Sequence, residues 1–169
     1  MHVKRSLPAT VLGTVLALGG LAVIKPVEAD ASVRHRLDVE TGDGKVKVRV
    51  MIENLSDRPV WVPREIADSD ELTGPRFVLR TPQDEVPYTG KMVKRAAPGP
   101  DDYLEIRPHT THLNTIDITG AYAFKPGRHS YEIRYAGPWL SNMEQRDAAS
   151  IEESPSAPVR FSHTAKAAP

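Results

Sequence analysis

From Val33 onward the apolar residues of this chain recur at every second position, a period that no helix can use and that a half-buried strand requires. The clearest run is 45–53, where Val46, Val48, Val50 and Ile52 alternate with Lys45, Lys47, Arg49, Met51 and Glu53. One face of such a segment is aliphatic and the other mostly charged, the pattern of an antiparallel strand with a core side and a water side. Thr41-Gly42-Asp43-Gly44 precedes it and offers the positive φ angles of a hairpin turn, so residues 33–40 are expected to pair with it.

The period continues along the chain. Residues 59–63 form a short strand around Val60, Trp61 and Val62, and the prolines at both ends suit a short or edge strand. Residues 64–74 are acidic and aperiodic, a loop with room for one helical turn. Glu65, Asp68, Asp70 and Glu71 lack the spacing of a twelve-residue calcium loop, and a solvated loop is expected. Strands follow at 76–80, 86–93, 103–107 and 111–119, the last with a bulge near Asn114 to bring Leu113 into phase with Ile116 and Ile118. Lys125-Pro126-Gly127 turns into a strand in which His129, Tyr131, Ile133 and Tyr135 share a face. Residues 137–158 read as a long polar connection, and Val159 and Phe161 mark a last strand. Eight or nine short strands, 15 prolines and no amphipathic helix specify an all-β fold, an antiparallel two-sheet immunoglobulin-like sandwich over residues 33–163 with a tail at 164–169.

The first 29 residues are set apart. Lys4 and Arg5 precede an uncharged apolar run, 7–24, and small residues then allow cleavage after Ala29 or Ala31. The run is close to the ~18-residue lower limit for crossing a bilayer, but Gly13, Gly19, Gly20 and several alanines dilute it. A cleaved signal peptide is expected, giving a secreted or periplasmic protein with no membrane attachment after cleavage. Its loss would leave 19 basic against 21 acidic residues, which offers nothing to nucleic acid. With no cysteine in the chain, disulfides, thiolate metal sites and thiol nucleophiles are excluded.

One stretch carries a resemblance. Phe77-Val78-Leu79, Val86-Pro87-Tyr88-Thr89-Gly90, Val93-Lys94-Arg95-Ala96-Ala97-Pro98 and Tyr103-Leu104-Glu105-Ile106-Arg107-Pro108 follow one another in an order and spacing similar to the N-terminal β-sandwich domain of secreted deuterolysin-type, peptidyl-Lys zinc metalloendopeptidases. Asp117-Ile118 to Tyr122 and Gly127 to Tyr135 continue it. His109 stands where that family has a turn glycine, and His129 where it has an aromatic residue. The HExxH helix of the family's protease domain does not occur in this sequence. The resemblance therefore implies a fold and a secreted setting, and no catalytic residue.

Candidate sites are few. His109 and His112 lie three apart in Pro-His-Thr-Thr-His and are the weak metal candidates, on a turn where they need not face one way. His129 is expected at the core edge, hydrogen-bonded through one nitrogen, and His35 and His163 lie on the first and last strands. There is no Gly-x-Ser-x-Gly elbow, no phosphate loop and no carboxylate pair in an apolar setting. Tyr88, Lys91, Lys94, Arg95 and Tyr103 form the one basic and aromatic cluster, a candidate partner-binding surface whose ordinary alternative is a covered sandwich edge. The expectation is a non-catalytic module that uses no cofactor and whose partner is a secreted protease or another extracellular protein. Alternatives are a proteinase-inhibitor-like sandwich presenting loop 96–102, and a small metal-binding protein using the histidines.

Overall fold

The computed structural model describes residues 32–94 and 96–166. The expected leader with its cleavage positions, and Arg95, lie outside the described residues. The strands are β1 (Val33–Gly42), β2 (Lys45–Asn54), β3 (Val60–Pro63), β4 (Phe77–Arg80), β5 (Tyr103–Ile106), β6 (Thr111–Asp117), β7 (Gly127–Tyr135), β8 (Pro138–Trp139), β9 (Glu152–Glu153) and β10 (Val159–Ala165), with one helical turn, α1 (Arg64–Ala67). Every pairing between these strands is antiparallel.

Two three-stranded sheets, ordered β1-β2-β6 and β10-β7-β4, make the sandwich. Val46, Val48, Val50 and Ile52 of β2 are fully buried, and meet a core that includes Leu79, Tyr131 and Ile133 from the other sheet. Each such aliphatic side chain contributes about 1.5–3 kcal/mol by leaving water, so β2 is the main support of the fold. Its hairpin with β1 closes on Asp43 and Gly44 at φ 50° and 75°, the paired left-handed angles whose twist matches two flanking strands. β3 pairs with β5 and, on its other side, exchanges backbone hydrogen bonds between Trp61 and Leu140 at 3.0 and 2.8 Å.

Four local expectations are corrected. β6 pairs with β2 without a skipped residue, so there is no bulge at Asn114, and Leu113 faces water at 55% exposure. The inward positions are instead His112 and Asn114: His112 Nε2 lies 2.7 Å from the Ala67 carbonyl, and Asn114 Nδ2 donates to the carbonyls of Ile66 and Ser69 at 2.8 and 2.7 Å. They satisfy carbonyls in α1 and just beyond it that a single helical turn leaves unpaired, which is why polar residues stand where the alternation asks for apolar ones.

Residues 86–93 form no continuous strand. Tyr88 bridges Tyr122 once, Thr89 and Gly90 donate to the Ala121 carbonyl, and Pro87 has no N–H to give a ladder. The acidic loop is not wholly solvated, since Glu65 is buried. Connection 137–158 is not merely polar either: Trp139 and Leu140 are buried, at 6% and 0% exposure.

Candidate functional site

The segment from Tyr88 to Tyr103 runs between two depressions, and these separate the residues that the sequence groups together. Tyr88 packs edge-on against Tyr122, and its hydroxyl lies 2.7 Å from the Lys91 carbonyl and 3.2 Å from that of Leu72. A Cβ at Gly90 would sit 2.8 Å from that hydroxyl and 3.0 Å from the Ala121 Cα, so the glycine admits the close approach of ring and backbone. Lys91 pairs with Glu71 at 2.5 Å on the rim of a groove of about 730 Å³ that also holds Lys45, Lys47, Asp70 and Asp117. This groove carries both signs of charge.

Tyr103 is elsewhere. It is buried on β5 beside a smaller apolar cleft of about 200 Å³, with Pro98, Trp139, Leu140 and Ile151 in its walls. Lys94 is exposed and lines neither depression. Lys91 and Tyr103 thus line different depressions, and among the described residues no single basic and aromatic patch joins them.

At the edge of the apolar cleft stands a charged cluster that sequence reading missed. Glu65 Oε1 accepts from the Thr73 N–H at 2.6 Å and the Thr73 hydroxyl at 2.8 Å, and Oε2 accepts from Arg76 Nε at 2.8 Å and Nη2 at 2.7 Å. Burial pushes the carboxyl upward, but the Thr73 donors and the Arg76 guanidinium outweigh it and hold the group below the usual carboxylate range. A carboxylate so occupied has neither the basicity nor the free lone pair of a general base. Its role is to tie α1 to the start of β4. Glu65 sits in one helical turn beside Ile66 and Ala67, the only local hint that it faces inward.

The histidines are dispersed. His109 Nε2 lies 2.8 Å from Asp57 Oδ1 on the surface, whereas His112 lies against α1, so the two metal candidates are not brought together. His109 has φ 52°, the left-handed angle that a glycine takes without strain. His129 Nε2 is 2.9 Å from the Pro126 carbonyl. His35 and His163 are both buried, on strands that pack together, but the ring of His35 contacts Tyr135 and that of His163 contacts Phe124. Among the described residues no three His, Asp or Glu side chains cluster so as to hold a metal ion.

Among the buried tyrosines, burial shifts the phenols of Tyr122 and Tyr135. The Tyr122 hydroxyl donates to the Phe77 carbonyl at 2.8 Å and accepts from the Phe77 N–H at 3.1 Å, and burial pushes its pKa up to about 12. Burial raises the Tyr135 phenol as well. Both stay protonated at neutral pH.

No protein-family model matches the chain. Among curated proteins it is similar to an extracellular protease of Aeromonas hydrophila, 26% identical over 127 residues, which make up 75% of this chain and 36% of that protein. The chain thus spans about a third of the length of this relative. Among solved structures it is similar, with a TM-score of 0.42 and 14% identity, to the X-ray structure of Northeast Structural Genomics Consortium target SoR45, over 82% of this chain and 89% of that one. What the sequence comparison establishes is a likeness to part of an extracellular protease.

Proposed function

We propose that this chain is an exported, non-catalytic β-sandwich module that works beside a secreted protease, related to the non-catalytic sandwich domain of such enzymes. The observation that carries this reading is the extent of the likeness: most of the sandwich corresponds to about a third of an extracellular protease. The chemistry of the side chains supports it. Glu65 is saturated with donors, while His109 and His112 are directed to Asp57 and to an α1 carbonyl respectively. Neither arrangement pairs a nucleophile with a base.

Incubating the purified protein with casein, in the presence and absence of divalent metal ions, tests the non-catalytic half of the proposal. No release of peptides is expected under either condition. Metal-dependent hydrolysis that follows the protein through gel filtration would overturn it.

A further inference from the structure

The outer faces of the two sheets are built differently. On β1-β2-β6 the cations are Arg34, Arg36, Lys45, Lys47 and Arg49, and acids answer almost all of them: Arg34 and Arg36 meet Glu53, Lys45 meets Asp117, and Arg49 meets Asp38 and Glu40. On β10-β7-β4 the outward residues of the strands include Arg80, Arg128, Arg134 and Arg160, with Glu132 as the only acid. The register puts Glu132 between Arg160 on one side and Arg80 on the other, with Val78 opposite Arg134 in the next row.

Glu132 contacts Arg134 and Arg160, each at 3.1 Å, and Arg80 reaches Glu85 at 3.6 Å beside the sheet. These contacts leave the guanidinium groups open to water: Arg160 is 86% exposed and Arg80 63%. Each guanidinium carries five N–H donors in a fork that suits carboxylates, so most of the donor capacity of this face is unspent. Val78 sits among them at 45% exposure, an apolar spot inside a cationic frame.

We infer that the outer face of β10-β7-β4 docks an acidic segment of a partner protein, with an apolar side chain of that segment seated on Val78 and its carboxylates on Arg80, Arg134 and Arg160. Charge selects an acidic occupant. Val78 favours a polypeptide over a sulfated polysaccharide, which has no apolar side chain to place there. The size of the face agrees: β10 flanks residues 127–133 of β7 and β4 flanks 132–135, so the strands stand three abreast only at Glu132 and Ile133, and β7 with one neighbour beside it makes a strip about 30 Å by about 10 Å, well under the ~800 Å² that each side of a stable globular interface buries. A segment fits this area, in a weak and salt-sensitive contact. The inference extends the proposed function by saying where a partner docks, and rests on that reading only for the partner being a protease.

The test is fluorescence anisotropy at low ionic strength with a labelled peptide of about ten residues, all Asp and Glu except a central Leu. The protein is expected to bind it and to ignore its Asn/Gln counterpart. Affinity should fall about tenfold or more in the triple variant Arg80→Gln, Arg134→Gln, Arg160→Gln, and fall severalfold in Val78→Ser. Glu132→Gln should bind more tightly, a gain that misfolding cannot mimic. Equal binding of the acidic and amide peptides, undiminished binding by the triple variant, or preference for dextran sulfate with no effect of Val78→Ser would each overturn the inference. A protease captured by the protein irrespective of these substitutions would leave the functional reading standing while removing this one. An acidic partner that is not a protease would do the reverse.

Discussion

His35 Nδ1 lies 3.0 Å from the carbonyl oxygen of Ser154, 119 positions away in sequence, and this contact fastens β1 to the connection that carries β8 and β9. The Nε2 of the same ring is buried without a hydrogen-bond partner. Burial therefore lowers the His35 pKa from 6.5 to about 4, the Ser154 carbonyl opposing it only in part. In the unfolded chain the ring takes up a proton as pH falls through 6.5, whereas in the folded protein it does so only near 4. The stability contribution is complete above 6.5, declines as pH falls, and is gone below about 4. Its full size is up to about 3 kcal/mol, and the buried His163, whose pKa burial also lowers, adds in the same sense. Urea denaturation between neutral pH and pH 4.5 should show this loss, and His35→Gln should flatten it.

Gly137 stands against the same contact. Its φ is 67°, and a Cβ there would lie within 3 Å of His35 Nδ1 and of the Ser154 carbonyl, with backbone on one side and a buried ring on the other. Gly137→Ala is expected to cost roughly 2–4 kcal/mol by thermal denaturation. Gly44, at φ 75° with open space around it, provides the control, and Gly44→Ala should cost only about 1 kcal/mol.

Glu65 makes a second point of attachment. Glu65→Gln keeps the shape but discards the charge that Arg76 and Thr73 address, and a loss of about 2–3 kcal/mol is expected. Arg76→Ala should cost less, because the arginine is 43% exposed and the carboxylate keeps the Thr73 donors. Equal losses in a double-mutant comparison by urea denaturation would contradict this division of roles.

His109 offers a stabilising substitution. At φ 52° it occupies a backbone conformation that costs a side-chain-bearing residue about 1 kcal/mol, and its contact with Asp57 is exposed on both sides. His109→Gly is expected to raise stability by about 0.5–1 kcal/mol, read as a rise in melting temperature.

The sequence made legible whatever alternation encodes. Val46, Val48, Val50 and Ile52 announce β2, Asp43 and Gly44 announce its hairpin, and His129 to Tyr135 announce β7, because in each case the partner of a residue is implied by its own strand. What escaped was set by distant partners. His112 and Asn114 break the pattern of β6 to serve α1, 45 to 48 positions away. Glu65 reads as surface until Thr73 and Arg76 are brought to it. Trp139 and Leu140 sit in a polar stretch and become core because β3 has a free side at Trp61. Tyr88 and Tyr103 are close in sequence but have different surroundings, Tyr88 packing on Tyr122 and the Lys91 carbonyl and Tyr103 lining the apolar cleft.

Whether the chain acts as a module beside a secreted protease is tested most directly by recovering the protein from its native host. The chain would be tagged at its own locus, isolated gently from the secreted and periplasmic fractions at low salt, and its companions identified by mass spectrometry. A protease is expected to be recovered with it in near-stoichiometric amount, and casein-degrading activity to leave with the protease when the two are separated. Recovery of the chain free of any protease, or activity that stays with the chain after separation, would contradict it.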